Sequence, residues 1–430
     1  MQRVKFCLLW TFLSYLLFSE SGFAQIGMLM PNPWSEVAAT LPKGRFMVSF
    51  VNLQAPLESR YSLAGERTQI RSQLDRTIGW SEVTTFDLQR KSELEGLLLS
   101  HGVNPADQAA QFVGDFKGRV TGFIPLVGVG LTERIGLFAA FPIVRIQMES
   151  RIAFRSTPSS EKLIQELQAR GMNSAAREFA VSLNNGFQDQ ITRMGYRFDE
   201  SVDRTELGDV QLVMPLPFSL FPSNATPPLS TALQLGLLLP TGRLADVNDL
   251  YGIGLGGGSF VPSAKLVTEA RATSWLSFSA SMNISVPLPH SRSMRVPTGR
   301  VQSFQEELTP DIDPNVIVTQ GVGFSAQLGS RLDLSRSFKM HLGIQHQLRG
   351  QNKFTGSRAE LSPERYQVLG DISGMNLTSA SASLELNTLQ AFLDGDFWFP
   401  SGAEVAAALP LAGKNLLADP QLWLRASFFF

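Results

Sequence analysis

Residues 275–287 read WLSFSASMNISVP. Leu276, Phe278, Ala280, Met282, Ile284 and Val286 take alternate positions, and Ser277, Ser279, Ser281, Asn283 and Ser285 fill the gaps between them. An extended chain sends successive side chains to opposite faces, so this segment has one apolar face and one of hydroxyls and amides. A strand of about ten residues with that pattern suits a bilayer crossing, with hydrocarbon on one side and a polar interior on the other. A soluble sandwich uses the same alternation, its apolar faces meeting across a core. The connections between strands separate the two cases.

The pattern recurs. Phe338, Met340, Leu342 and Ile344 oppose Lys339, His341, Gly343, Gln345 and Gln347, and Ala380, Ala382, Leu384 and Leu386 oppose Ser381, Ser383, Glu385 and Asn387. The last ten residues, QLWLRASFFF, set Leu422, Leu424, Ala426, Phe428 and Phe430 against Trp423, Arg425, Ser427 and Phe429. Twelve strands are expected near 44–54, 118–130, 134–155, 208–217, 230–240, 261–272, 275–287, 316–330, 336–350, 379–392, 397–411 and 420–430. Connections after odd-numbered strands are long. Most of the others are short, such as Thr273-Ser274 and Arg331 to Ser335, with a Pro-rich exception around Pro222 to Leu229.

An even strand count with long loops on one rim and short turns on the other predicts an all-β, transmembrane, antiparallel up-and-down barrel of about twelve strands, with helical insertions in long extracellular loops. Backbone amides in lipid must all be bonded within the protein, so the last strand must pair with the first. Both termini are then periplasmic, and Phe428 and Phe430 face lipid near that interface, where aromatic side chains are favoured.

One strand is irregular. In 134–155 the apolar positions start as Ile135, Leu137, Ala139 and Phe141 and change parity to Val144, Ile146, Met148 and Ile152, which places a bulge at Pro142. Helical inserts are expected within about 57–117 and 156–207. Ser92 to Ser100 carries start and stop signals, Asn104-Pro105 opens a further turn, and Phe179, Leu183, Phe187 and Ile191 form a stripe along 174–194.

The first 24 residues carry Arg3 and Lys5, an apolar run from Phe6 to Phe18, and a small-residue site at Gly22-Phe23-Ala24. This is the plan of a cleaved secretory signal, with residues 25–430 forming the barrel. Cys7 sits early in the apolar run, away from its end, so no lipoprotein anchor is expected, and the exported chain has no cysteine for a disulfide. The 37 Lys and Arg nearly balance the 38 Asp and Glu, without long runs of one sign, so nucleic acid is not an expected partner. No apolar stretch after the leader approaches the roughly 20 residues of a spanning helix.

The chain from residue 25 resembles Gram-negative outer-membrane barrels, porin-like in plan. Its final strand, with Leu422, Leu424, Phe428 and Phe430, resembles the signal that such proteins present to the barrel assembly machinery. The resemblance implies periplasmic chaperones as transient partners, and outer-membrane lipid and lipopolysaccharide as the surroundings. Two shorter pieces, Gly130-Leu131-Thr132-Glu133-Arg134-Ile135-Gly136-Leu137 before Pro142 and Leu239-Pro240-Thr241-Gly242-Arg243 after Gly208-Asp209-Val210, are similar to hairpins of outer-membrane proteins linked to meta-pathway phenol degradation and of fatty-acid-channel-like transporters. No binding residue is carried over from either.

The polar faces supply a lumen lining: Lys265, Glu269, Arg271, Asn283, Lys339, His341, Gln345, Glu385, Asn387 and Arg425. Mixed charges inside a barrel bias which solutes pass, or pair with one another to fill a narrow interior. Twelve strands fall between the roughly eight whose interior side chains fill and the roughly sixteen that leave a water channel, so openness stays undecided at this stage. Gly252-Ile253-Gly254-Leu255-Gly256-Gly257 has the spacing of a dinucleotide fingerprint but no βαβ setting, so it reads as a flexible outer loop. His341 and His346 are an odd number of residues apart and point to opposite faces, which argues against a metal site; no cofactor is expected.

The expected function is an outer-membrane channel for passive diffusion of small solutes, hydrophobic ones included. The alternative is a non-conducting surface-binding or structural barrel, adhesin-like. An outer-membrane lipid hydrolase would need a serine nucleophile beside a histidine such as His346, and no Gly-x-Ser-x-Gly motif occurs, so an enzyme is not expected.

Overall fold

The computed structural model describes residues 41–71, 76–80, 91–174, 201–218, 229–250, 254–297, 311–371 and 373–430, with scattered positions between 176 and 199. Residues 1–24, read as a leader, and the stripe Phe179, Leu183, Phe187 and Ile191 lie outside the described residues.

The barrel strands are β1 (Phe46–Pro56), β2 (Gln108–Gly130), β3 (Gly136–Ala140 continued by Ile143–Ser156), β4 (Ser201–Leu207 continued by Val210–Phe218), β5 (Leu229–Leu239) and β6 (Val261–Arg271). They go on as β7 (Leu276–Ser285), β8 (Gly323–Asp333), β9 (Phe338–Arg349), β10 (Met375–Asn387), β11 (Ser401–Lys414) and β12 (Gln421–Phe429). Each is antiparallel to its sequence neighbours, and β12 returns to β1 in register from Met47↔Phe429 to Gln54↔Leu422. The twelve-stranded cylinder is closed. Its backbone donors and acceptors are used up around the ring, as hydrocarbon demands.

The outer face is apolar and uncovered. Phe278, Met282, Ile284, Leu328, Leu342, Ile344, Val405, Leu409, Leu422 and Leu424 are all exposed, and Phe50 stacks on Phe123 of the adjacent strand with ring centroids 5.7 Å apart. A belt of this extent around a closed cylinder is a surface made for lipid. At the rim of the short turns, Phe399 packs against Phe428 (6.0 Å) and Phe430 (6.4 Å), so the terminal phenylalanines join an aromatic cluster there.

Several boundaries differ from expectation. Residues 108–117 and 201–207, assigned by sequence to the inserts, extend β2 and β4 beyond the lipid belt, while Val316–Thr319 belongs to a separate sheet on the loop rim and not to β8. The turn after β10 is long. It runs over 388–400 and holds a short helix, Leu389–Leu393, where a tight turn was expected.

The expected bulge at Pro142 is absent. β2 and β3 keep one register from Gly130↔Gly136 to Ala110↔Ser156, and the even-numbered residues Phe138, Ala140, Val144, Ile146 and Met148 all face inward. The register slips instead between β3 and β4, from Phe138↔Val213 to Ile143↔Leu207, so the extra residue lies at Gly208-Asp209. What inverts along β3 is the surroundings. Below Ile143 the outer face carries Leu137 and Phe141; above it come Arg145, which pairs with Asp203 at 2.6 Å, and Glu149. The strand leaves hydrocarbon there and its interior becomes apolar.

That interior is a core on the loop rim. Leu57, Trp80, Leu98, Val120, Ile146, Met148, Leu163, Leu377 and Leu416 are buried together, drawn from strand extensions and three loops. Helices α1 (Lys91–Ser100) and α2 (Pro158–Ala169) each contribute. α1 matches the sequence expectation. α2 was missed, although Thr157-Pro158-Ser159-Ser160 announces it: Thr157 accepts from the Ser160 amide, the Ser160 side chain accepts from the Thr157 amide, and Pro158 opens the first turn.

A second sheet on the same rim joins His290–Arg295, Ile312–Thr319 and Lys353–Thr355 under helix α3 (Pro363–Asp371). The fully buried Asp313 organises it, accepting from Tyr366 Oη (2.7 Å), Ser357 Oγ (2.7 Å) and the Ser357 amide (2.8 Å). The Gly-rich loop, read as flexible, is held tightly: Gly242 and Gly256 are pressed backbone to backbone with no room for a Cβ, and the Gly257 amide donates to Asp209 at 2.7 Å.

Candidate functional site: the barrel lumen

Inward positions of β1 and β2 carry Val51, Ile124 and Leu126, which bury with Ala140 of β3 and pack against Met47 and Trp423. This apolar cluster occupies one side of the lumen. The opposite wall, β7 to β10, was built from small polar residues by the alternation described above. A cavity of ≈ 140 Å³ lies along that wall, lined by Ser277, Ser279, Gln327, Gln345, Gln347, Ser379, Ser381 and Ser383, with Val51 and Trp423 across from them and Leu377 and Pro410 at the loop end. Gly329 and Gly343 keep the wall thin: a Cβ at Gly343 would stand 3.0 Å from Ser381 Oγ.

Toward the turn rim the lumen carries charges of both signs. One straight row across neighbouring strands reads Asp333, Lys339, Glu385, Glu404 and Arg425. Glu404 binds Arg425 at 3.0 Å, Glu385 binds His341 at 3.1 Å, and Arg331 binds Glu269 at 2.9 Å and Asp333 at 3.2 Å. Ser277 Oγ also accepts from Arg331 at 3.3 Å.

The ten expected lumen residues are distributed as follows. Glu269, His341, Gln345, Glu385 and Arg425 line the cavity, and Asn387 donates to Glu385 at 3.1 Å beside it. Asn283 and Lys339 occupy inward positions outside the lining, and Lys265 points inward but is 6 % exposed. Arg271 stands at the turn rim, exposed, donating to the Ser274 carbonyl at 2.9 Å. Sequence reasoning missed Arg331, Asp333 and Glu404. Arg331 and Asp333 fell into an expected turn because the strand was ended at 330. Glu404 is one carboxylate in an alanine-rich run, and its inward parity was the available signal.

His346 faces outward, as its parity requires, and its Nδ1 lies 2.9 Å from Thr378 Oγ1 of the next strand. No serine hydroxyl bonds to it among the described residues.

Neither protein-family models nor curated proteins match the chain. Solved structures do. The COG4313 outer membrane channel from Pseudomonas putida F1 superposes with a TM-score of 0.50 at 14% identity, covering 93% of this chain and 100% of that one. The fold is that of an outer-membrane channel barrel. More distant are the Pseudomonas putida toluene transporter TodX (TM-score 0.33, 12% identity, 99% of this chain and 98% of that one) and a Pseudomonas aeruginosa FadL homologue (0.29, 9% identity, 96% and 98%).

Proposed function

We propose that this chain is a Gram-negative outer-membrane channel for passive diffusion of small solutes, hydrophobic ones included. The observation that carries the reading is the cavity inside a closed, lipid-belted cylinder, with a polar wall on one side, Val51 and Trp423 across from it, and Leu377 and Pro410 at the loop end. Such a lumen offers hydrogen bonds and an apolar surface to the same passing molecule, and it needs no chemistry of its own. The short-turn rim, where β1 begins and β12 ends, faces the periplasm, and the loop rim faces outward.

The loop-rim core gives a second reading some weight, because loops folded into a common core across the mouth also suit a barrel that binds a partner without conducting. Planar-bilayer recording and liposome swelling decide between the two. The channel reading expects current and swelling from the full chain, larger after deletion of 158–199. Silence from both forms overturns it and leaves the surface-binding barrel.

A further inference from the structure

The turn-side half of the lumen mixes charges of both signs: Arg331 lies within ion-pair distance of Glu269 and Asp333, Arg425 of Glu404, Glu385 bonds His341, and Lys339 stands between Asp333 and Glu385 in their cross-strand row. The loop-side half differs. Lys265 shares a cross-strand row with Asn283, Ser325 and Gln347, all neutral. It forms no ion pair and no hydrogen bond among the described residues, though only 6 % of it is exposed.

One inward position further along β9 stands Arg349. It donates to Gln320 Oε1 at 3.3 Å and has no carboxylate within ion-pair distance among the described residues. Three strand spacings separate the two cations, roughly 14 Å along the wall. Just below them lies the polar wall, where Ser279, Ser379, Ser381, Ser383, Gln327, Gln345 and Gln347 line the cavity without a side-chain hydrogen bond among the described residues.

We propose that Lys265 and Arg349 form an anion-selecting pair on the loop-end wall of the lumen, and that the solutes favoured by this channel are small anions such as carboxylates. The inference rests on the channel reading above and gives it a sign. An uncompensated cation in a constricted, low-dielectric lumen attracts anions and repels cations strongly, because water screens it poorly there. The unpartnered hydroxyl and amide groups beneath replace part of the hydration shell that an anion sheds on entry. The charges at the foot are of both signs and largely offset one another.

The test is the reversal potential of single channels in a salt gradient of potassium chloride, repeated with potassium acetate. The full chain is expected to favour the anion in both salts. Lys265→Gln combined with Arg349→Gln should lower the anion-to-cation permeability ratio several-fold while current persists, and Lys265→Glu should invert the preference. Lys265→Arg should retain it. Cation preference in the unaltered protein overturns the proposal without any variant, and so does an anion preference that survives the double substitution. Absence of any current in the unaltered protein overturns the channel reading itself, which is a separate failure.

Discussion

At the scale of single residues, the barrel wall is a membrane boundary one side chain thick. Phe278 is exposed on the outer face and Ser279, its neighbour, lines the cavity. Phe278→Arg sets a guanidinium against hydrocarbon at a cost of about 2 to 4 kcal/mol near the midplane. Assembly should fall, read as loss of the heat-modifiable folded band. Ser279→Arg should assemble normally and reduce conductance. Equal assembly of the two would mean that the strand faces are assigned backwards. Arg331 makes a different prediction, because it serves Glu269, Asp333 and Ser277 at once. Arg331→Met strands two carboxylates in the lumen and should lower the denaturation midpoint, whereas the combined change Arg331→Met with Glu269→Gln should recover part of the loss.

At the scale of elements, each rim structure hangs on one polar anchor. Thr157 caps α2, whose Leu163 and Leu167 enter the loop-rim core. Thr157→Ala should cost about 1 kcal/mol, seen as faster amide exchange in α2 with the barrel unchanged. The Asp313 sheet answers to pH. Burial pushes the Asp313 carboxyl upward, but hydrogen bonds from Ser357, Tyr366 and the Asn315 amide outweigh it and hold the group well below the usual carboxylate range. A depressed value means that its stabilisation is complete above about pH 4, where the free carboxyl titrates, and drains away only as pH falls further. The reverse holds for Tyr366, whose phenol is pushed up to about 12 by burial and by the Asp313 carboxylate, so its share persists until strongly alkaline pH. Tyr366→Phe should therefore bring acid loss of amide protection in 312–319 to a higher pH. An unchanged acid midpoint would show that the bond does not hold the sheet.

Sequence pattern gave reliable strands wherever one face met lipid, as in β7 and β9, because solvent on the two sides differs and the period of two records it. It misled where the surroundings changed along a strand. In β3 the apolar residues change parity at Pro142 because the outside turns from hydrocarbon to water, and the sequence signature of that change imitates a bulge. The true slip at Gly208-Asp209 left only a small residue as its mark. The lumen charges were half legible: inward parity picked out Glu385 and Arg425, but Arg331 was lost to a boundary error, and no local pattern says which bases find acids across strands.

At the scale of the whole molecule, closure is the property on which the rest depends. Deleting 421–430 removes the partner of β1 and β11 alike, leaving two unpaired edges; no folded, heat-modifiable species should form. Export supplies a further check. Mass spectrometry of protein recovered from membranes should find a chain beginning at Gln25, and retention of residues 1–24 would refute the reading of that segment as a leader.

One side chain binds three loops into a single outer surface. Arg295 donates to the carbonyls of Val247 (2.6 Å), Met194 (2.9 Å) and Gly195 (3.0 Å) and covers the Tyr196 ring at 3.7 Å, so the loops following β3, β5 and β7 are fastened together. An antibody or bacteriophage that recognises the cell through this patch would read a discontinuous epitope. Linear peptides from any one loop would not reproduce it, and Arg295→Ala would erase recognition of intact cells while leaving the denatured antigen reactive on a blot.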